Sequence, residues 1–196
     1  MCINISEGLS ATKNQALIAA EDFPEDVIVV DSKTVSLGIY YLVEYANELI
    51  KQSLSFEEVA GKVKEKTNNV KSFILINNIE NLRRGGRASF TKYLLTSMLD
   101  IKPLLEMDMD RGGKLQVIRK ERGWKKAKDA MLRHVISLGN IVKGGVIHVQ
   151  NLQEATALAD SLRAATGIVF DIAETGSVIA THTGRGALGI VVEIKK

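Results

Sequence analysis

The chain has 196 residues, of which 45% are hydrophobic and 25% charged, a balance typical of globular proteins and inconsistent with general disorder. A net charge of +3 with only 5% aromatic residues does not indicate a nucleic-acid-binding protein, because such proteins cluster basic side chains among aromatic ones. The apolar runs are far shorter than the roughly 20 residues that span a bilayer, and the N-terminus lacks a signal-peptide layout. We therefore expect a cytoplasmic protein without a membrane span. Its single cysteine, Cys2, excludes an internal disulfide and a cysteine metal cluster.

The N-terminal segment predicts a strand, a polar turn and a helix. The strand is Met1–Ile5, and the helix runs from Lys13 to Glu21 with Ser10 as its N-cap. The free N–H groups at such a helix end can bind a carboxylate or a phosphate. Helix capping alone is the alternative role of Ser10, because serine is a preferred N-cap in any protein.

The next segment alternates strands and helices. A second strand is expected at Val27–Val30, followed by a helix at Ser36–Lys51 with an apolar stripe at helical spacing. Ser55 and Glu58 have the spacing of a capping box that opens a further helix. A third strand is expected at Ser72–Ile76. This order of elements predicts a parallel sheet with right-handed crossover helices.

A basic segment with two glycines marks the expected boundary between two domains. Residues 78–87 predict a helical turn that runs into Gly85-Gly86 between arginines. We expect one domain at 1–82, a parallel α/β domain, and a second at 83–196, an α+β domain. Arg87 and its neighbours either hold an anion bidentately or form the solvated basic end of a helix.

The second domain is expected to contain a mixed or antiparallel sheet. The residues Asp110-Arg111-Gly112-Gly113, followed by an alternating strand, indicate a hairpin. His134 and His148 fall in a helix and in an apolar strand, and we interpret both as structural. The expected elements are a helix at 89–99, strands beginning near 101 and at 114–120, a helix at 124–138, a strand at 144–149, a helix at 151–165 and a strand at 168–172.

The most unusual stretch is 180–189, where His182 precedes three closely spaced glycines. The six residues from Gly184 match the pattern G-x-G-x-x-G, but a dinucleotide site also needs a following helix and an acidic residue about 20 residues on. Ile190–Ile194 instead predicts a strand. The glycines are therefore expected to form a strand-to-strand loop that carries His182.

Five short motifs are spread over the whole chain. They are Gly8-Leu9-Ser10-Ala11-Thr12, Val30-Asp31-Ser32-Lys33, Leu82-Arg83-Arg84-Gly85-Gly86-Arg87, Ile101-Lys102-Pro103 and His182-Thr183-Gly184-Arg185-Gly186-Ala187-Leu188-Gly189. Their order and spacing resemble those of the DegV family of bacterial fatty-acid-binding proteins. The resemblance implies two α/β domains with one long-chain fatty acid between them. It also implies a carrier rather than an enzyme, without cofactor or metal, and a possible partnership with an ATP-dependent fatty acid kinase subunit.

The resemblance further implies a ligand site formed by Ser10, His182, Thr183, Gly184 and Arg87. In the family pattern Ser10 matches the serine that holds the carboxyl group, His182 the histidine beside it, and Arg87 a basic residue near the head group. An acyl tail gains about 0.8 kcal/mol per buried CH₂, so an apolar slot would dominate the affinity while the polar head sets the orientation.

The sequence also departs from the family pattern. Ala11 stands where the family has glycine, Glu7 where it has a second serine, and Arg185 where it has proline, and Glu7 is expected to repel a nearby carboxylate. Family members carry a further N-terminal third with the first strands and a threonine-serine motif. Its absence implies that the parallel α/β domain at 1–82 is incomplete. It predicts an open sheet edge, weak binding by this chain alone, and self-association or pairing with a complementary N-terminal chain.

Two other functions are compatible with parts of the sequence. A serine hydrolase would use Ser10 as nucleophile and His182 as base, but Gly8-Leu9-Ser10-Ala11-Thr12 lacks the final glycine of a nucleophile elbow and no orienting acid is identifiable. The other alternative is an interaction module that has lost ligand binding. A co-purified fatty acid would distinguish the carrier from this module.

Overall fold

The computed structural model describes residues 1–88 and 100–195, so the helix expected at 89–99 lies outside the described residues. The chain forms two compact units. The first consists of Met1–Lys71 with Met107–Lys114, and the second of Ser72–Glu106 with Leu115–Lys196. These bounds differ from the domains expected at 1–82 and 83–196, and that division stays a prediction.

The first unit contains a two-stranded parallel sheet and three α-helices. Its strands pair in the register Cys2↔Val29, Ile3↔Val30 and Asn4↔Asp31. The elements are β1 (Cys2–Asn4), α1 (Thr12–Ala20), β2 (Val29–Asp31), α2 (Leu37–Lys51) and α3 (Phe56–Lys66). The parallel pairing of the first two strands is as the sequence predicts.

Local sequence signals account for α2 and α3. The apolar stripe of α2 buries Leu42, Ala46 and Leu49, because residues three and four apart share one face of a helix. The capping box of α3 is also confirmed. The hydroxyl of Ser55 accepts the Glu58 N–H at 3.2 Å, and the Glu58 carboxylate accepts the Ser55 N–H at 2.8 Å.

The second unit is built on a six-stranded sheet of order β5-β4-β3-β8-β6-β7. The elements are β3 (Val70–Leu75), α4 (Glu80–Arg84), β4 (Ile101–Asp108), β5 (Lys114–Arg122), α5 (Trp124–Ser137), β6 (Ile141–His148), α6 (Leu152–Thr166), β7 (Phe170–Glu174), α7 (Ser177–Thr183) and β8 (Leu188–Ile194). The ends of β3, β4 and β5 that lie in 70–71 and 107–114 belong to the first unit.

The pairing within this sheet is mixed, as expected from the sequence. β3 pairs with β4 and β6 pairs with β8 in antiparallel fashion, whereas β6 and β7 are parallel. One apolar core joins the sheet to α5 and α6, and its fully buried members include Phe73, Met131, Val146, Leu162 and Ile190. The chain is therefore an α/β protein with a small parallel sheet and a larger mixed sheet.

The prediction that the third strand belongs to the same sheet as the first two was wrong. β3 does not join β1 and β2 but lies inside the six-stranded sheet, where Ile74 pairs with Leu105 of β4. Its burial explains the difference, because Val70, Ser72, Phe73 and Leu75 are all buried, as expected for an interior strand covered on both faces. The order of strands and helices along the chain is compatible with either sheet.

Candidate functional site

Ser10 lies in a tight turn immediately before α1. The prediction that it is the N-cap was wrong, since Ala11 occupies the cap position and the helix begins at Thr12. The Ser10 hydroxyl shares a hydrogen bond of 2.8 Å with the Thr12 hydroxyl, and it lies 3.3 Å from the Thr12 N–H, which it accepts. The Ser10 N–H itself donates to the Ser6 carbonyl at 3.1 Å, which holds the residue in the turn rather than at the helix end.

Glu7 shares this turn, and its negative charge is offset locally. The ammonium group of Lys13 donates to the Glu7 carboxylate at 2.5 Å and lies 3.9 Å from the carboxylate of Asp31. The hydrogen bond from Lys13 and its positive charge lower the pKa of Glu7, and Lys114 and Lys33 add to the effect. The expected repulsion between Glu7 and a bound carboxylate is therefore reduced by this pairing.

His182 lies on a short helix, α7, rather than in the expected strand-to-strand loop. The β-branched residues of Ser177–Thr183 have modest helix propensity, which is why the sequence did not indicate a helix. Two threonines bond back to the preceding turn, Thr181 to the Ser177 carbonyl at 2.8 Å and Thr183 to the Ile179 carbonyl at 2.9 Å. Gly184 then ends the helix with a φ of 80°.

The imidazole of His182 is seated against a glycine of the preceding basic segment. A Cβ on Gly85 would lie only 2.1 Å from Nδ1 of His182, so no larger residue fits beside the ring in this position. Nδ1 is buried and has no hydrogen-bond partner among the residues that the structure describes. We assign its proton to the other nitrogen, since a buried acceptor is tolerated more readily than an orphaned donor. Nε2–H is then the donor of this side chain.

Three asparagines that the sequence did not single out lie against the turn after α7, and two of them form hydrogen bonds to it. Asn77 donates to the Arg185 carbonyl at 3.2 Å, and Asn151 donates to the Gly186 carbonyl at 3.0 Å. Asn81 approaches Gly184 so closely that a Cβ there would lie 2.3 Å from its Nδ2. The glycines of the motif therefore allow backbone and amide side chains to approach each other and fix the end of α7.

The basic segment contains three exposed arginines, of which Arg83 and Arg84 share one carboxylate partner. Arg83 and Arg84 both donate to the carboxylate of Glu80, and these hydrogen bonds lower its pKa to about 2. Arg87 is exposed, and its guanidinium donates to the Gly85 carbonyl at 2.7 Å. Because Gly85 also contacts His182, the structure brings the Arg87 segment next to α7.

The remaining histidines have structural surroundings, as expected. The ring of His134 makes an edge-on contact with Phe73, with ring centroids 5.0 Å apart. His148 is buried, and its Nδ1 accepts the Asn151 N–H at 3.3 Å. It thereby supports the asparagine that holds the turn after α7.

The predicted site residues are thus divided between the units. His182, Thr183, Gly184 and Arg87 lie in the second unit, and Ser10 in the first. The sequence placed Gly85 in the basic motif but did not indicate its contact with His182, because the backbone conformation of Gly85 is ordinary.

Two further features of the described residues concern metal binding and membrane insertion. Within residues 1–88 and 100–195, no group of three or more His, Cys, Asp or Glu side chains is arranged to hold a metal ion. No helix in the same described residues combines the length and the apolar composition needed to cross a membrane.

Comparison with known proteins identifies relatives along the whole chain. The model of a family described as "Uncharacterised protein, DegV family" matches residues 1–195. A DegV domain-containing protein of Staphylococcus aureus (strain COL) is 32% identical over 194 residues, which cover 97% of this chain and 68% of that protein.

Solved structures are similar over the same extent. The structure of DegV from Bacillus subtilis, described as a fatty acid binding protein, is 30% identical with a TM-score of 0.82, and the match covers 97% of this chain and 69% of that one. A DegV family protein from Thermus thermophilus, described by its fatty acid binding, is 29% identical with a TM-score of 0.86 over 97% and 69% of the two chains. A DegV lipid-binding protein from Thermotoga maritima is 29% identical with a TM-score of 0.84 over 99% and 68%.

Proposed function

Since the chain belongs to the DegV family, we propose that it binds a long-chain fatty acid as a carrier, with Ser10 and His182 holding the carboxylate. The similarity to solved proteins described as fatty-acid-binding supports the ligand class. Neither a metal nor a cofactor is needed for this function, because an acyl tail and a carboxylate are recognised by apolar packing and hydrogen-bond donors.

The observation that carries the proposal is the hydrogen bonding of the His182 imidazole. Its ring makes no hydrogen bond to another residue that the structure describes, and Nδ1 is enclosed against Gly85. Nε2–H is therefore available to donate to an anion, and a protonated ring would add a charge-assisted bond. The half-exposed Ser10 hydroxyl supplies a second donor once its bond to Thr12 is exchanged for one to the ligand.

The other residues of the proposed site have supporting roles. The Thr183 hydroxyl is bonded to the Ile179 carbonyl, so Thr183 and Gly184 serve by holding the end of α7 and the direction of His182. Arg87 is exposed, and we assign it to the head group or to a partner protein.

We also infer two partners for the carrier. One is an ATP-dependent fatty acid kinase subunit, for which the carboxylate held by Ser10 and His182 would be the substrate. The other is a second copy of this chain. Within the described residues, β1 and β2 pair only with each other, and a two-stranded sheet with open edges favours pairing with another chain. We place this carrier and its partners in the cytoplasm. Size exclusion with light scattering tests the self-association, and a monodisperse monomer at micromolar concentration would contradict it.

The ligand assignment is tested by titrating a long-chain fatty acid into wild type and two variants. Ser10→Ala and His182→Ala are each expected to weaken binding by roughly 1 to 3 kcal/mol, because each leaves the buried carboxylate one donor short. Ser161→Ala is a matched control, since that hydroxyl donates only to the Ala157 carbonyl of its own helix.

Two results would overturn parts of this proposal. Wild-type affinity in both variants would show that the head group is held elsewhere. No fatty acid in native mass spectra of the purified protein, together with no binding in the titration, would favour an interaction module.

A further inference from the structure

Ser6 is a fully buried polar residue that the proposed ligand site does not use. Its hydroxyl lies 2.7 Å from the Gly113 carbonyl and 3.2 Å from the Gly112 carbonyl, and it accepts the Gly8 N–H at 3.1 Å. The partners Gly112 and Gly113 lie at the tip of the hairpin between β4 and β5. Ser6 therefore joins the turn before α1 to a segment more than 100 residues away.

The two backbones approach too closely for side chains. A Cβ on Gly113 would lie 2.3 Å from the Ser6 hydroxyl and 2.7 Å from the Lys33 carbonyl. A Cβ on Gly8 would lie 2.6 Å from the Gly113 carbonyl. Both glycines are required by this contact, and the φ of 68° at Gly113 adds a conformational requirement.

The hairpin tip has an internal framework of its own. The carboxylate of Asp108 accepts the N–H groups of Asp110 and Arg111 at 3.1 and 3.2 Å. The Asp108 carbonyl accepts the Gly113 N–H at 2.7 Å. The Gly113 carbonyl is thereby presented to Ser6 by a turn that is already fixed.

Ser6 in turn fixes Ser10. The Ser6 carbonyl accepts the N–H groups of Leu9 and Ser10 at 3.0 and 3.1 Å, and its own N–H donates to the Thr34 carbonyl at 3.0 Å. A continuous set of bonds therefore runs from the hairpin tip through one residue to the backbone of Ser10. Ser10 follows in the chain only four residues after Ser6.

We propose that the hairpin tip Asp108–Gly113, acting through Ser6, positions the Ser10 hydroxyl for the carboxylate of the ligand. The inference rests on the proposed fatty acid binding, and it makes Ser6 and Gly113 positioning residues rather than ligand contacts. Without the Ser6 bond the turn samples other conformations. The apparent affinity then falls in proportion to the fraction of molecules in which Ser10 remains correctly placed.

The first test combines affinity with a local probe of the turn. Ser6→Ala removes the hydroxyl with little change in volume, and we expect the dissociation constant for a long-chain fatty acid to rise roughly 3- to 30-fold. The Leu9 and Ser10 amides should exchange with solvent at least about 10-fold faster, since both donate to Ser6. Unchanged exchange at both amides would overturn the proposal.

A double-mutant cycle separates positioning from general stability. If Ser6 acts through Ser10, Ser6→Ala should cost little further affinity in a Ser10→Ala background. An equal loss in both backgrounds would show a structural role only, and would overturn the proposal. If Ser10→Ala alone leaves binding unchanged, the assignment of Ser10 to the ligand fails, while the amide exchange still reports whether Ser6 orders the turn.

A pair of glycine variants tests the hairpin side. Gly113→Ala meets the Lys33 backbone, whereas Gly112→Ala has a similar positive φ of 67° but meets only the flexible Glu7 carboxylate at 3.1 Å. We expect Gly113→Ala to accelerate exchange at Leu9 and Ser10 and to weaken binding more than Gly112→Ala does. The same effect from both variants would mean that backbone strain, not the contact with Ser6, is responsible. If Gly113→Ala does not fold, Ser6→Ala decides.

Discussion

Replacement of Gly85 by alanine tests whether the seating of His182 governs ligand binding. The added Cβ would lie 2.1 Å from Nδ1 and 2.6 Å from Cε1 of the ring, whereas ordinary van der Waals contact begins at 3.4 Å. The imidazole must therefore move by roughly 1.3 Å, the difference between 2.1 and 3.4 Å. Such a shift takes a donor out of hydrogen-bond range of a bound carboxylate.

The expected loss is that of one charge-assisted hydrogen bond. It amounts to about 1.5 to 3 kcal/mol, or roughly a 10- to 150-fold rise in the dissociation constant. The backbone itself should tolerate the change, because Gly85 has helical angles with a φ of −76° that alanine adopts freely.

Isothermal titration with a long-chain fatty acid measures this loss, and thermal melting checks the fold. Gly61→Ala is the matched control, because Gly61 lies within α3 and a Cβ there meets nothing within 4 Å. Wild-type affinity in Gly85→Ala, alongside weakened binding in His182→Ala, would refute the reasoning. It would show that the ring can bind the ligand from another position.

Three further measurements test other parts of the structure. Arg87→Ala should leave the melting temperature unchanged, because an exposed arginine contributes little to folding, and a fall of several degrees would indicate a structural role. Ser55→Ala should destabilise the protein by about 1 kcal/mol through loss of the capping box with Glu58, and denaturant unfolding with no change in midpoint would contradict this. The carboxyl of Glu80, with its pKa lowered to about 2, stabilises the fold above the ordinary value of 4.5, and this contribution is lost as the pH falls towards 2. An NMR titration in which Glu80 titrates near 4.5 would exclude its persistent pairing with Arg83 and Arg84.

Elements with a strong local signal could be predicted from the sequence. The helix α2 is indicated by the helical spacing of the apolar residues Leu42, Ala46 and Leu49, which the structure buries. The start of α3 is indicated by the capping-box spacing of Ser55 and Glu58. These signals lie within a few residues of one another, so no knowledge of the rest of the fold is needed.

The partner of a strand is not encoded in the same way. The segment around Ile74 reads as a buried strand, but its pairing with Leu105 depends on a hairpin some 30 residues further along the chain. The sequence therefore indicated the strand and not its sheet.

Site residues could be predicted where a sequence motif identifies them. They could not be predicted where their role depends on a contact with a residue far away in the chain. Ser10 and His182 were identified by their motifs, and whether they bind the ligand stays a prediction. The helix that carries His182 was missed because its β-branched residues favour other conformations. Ser6 resembles any serine in a polar turn, since its significance comes from Gly113, 107 positions away.

The discontinuity of the first unit has a consequence for the order of events during protein synthesis. Residues 1–71 are synthesised before 107–114, which belong to the same unit, so the unit cannot reach its final structure until the hairpin has been made. At about 5–20 residues per second, the nascent segment waits for a few seconds with Ser6 still bonded to water. Closing so long a loop costs only about 0.6 kcal/mol for each doubling of its length, so the delay affects the rate of folding more than the final stability. Residues 1–71 are therefore completed only together with the strands of the second sheet, which are synthesised after them.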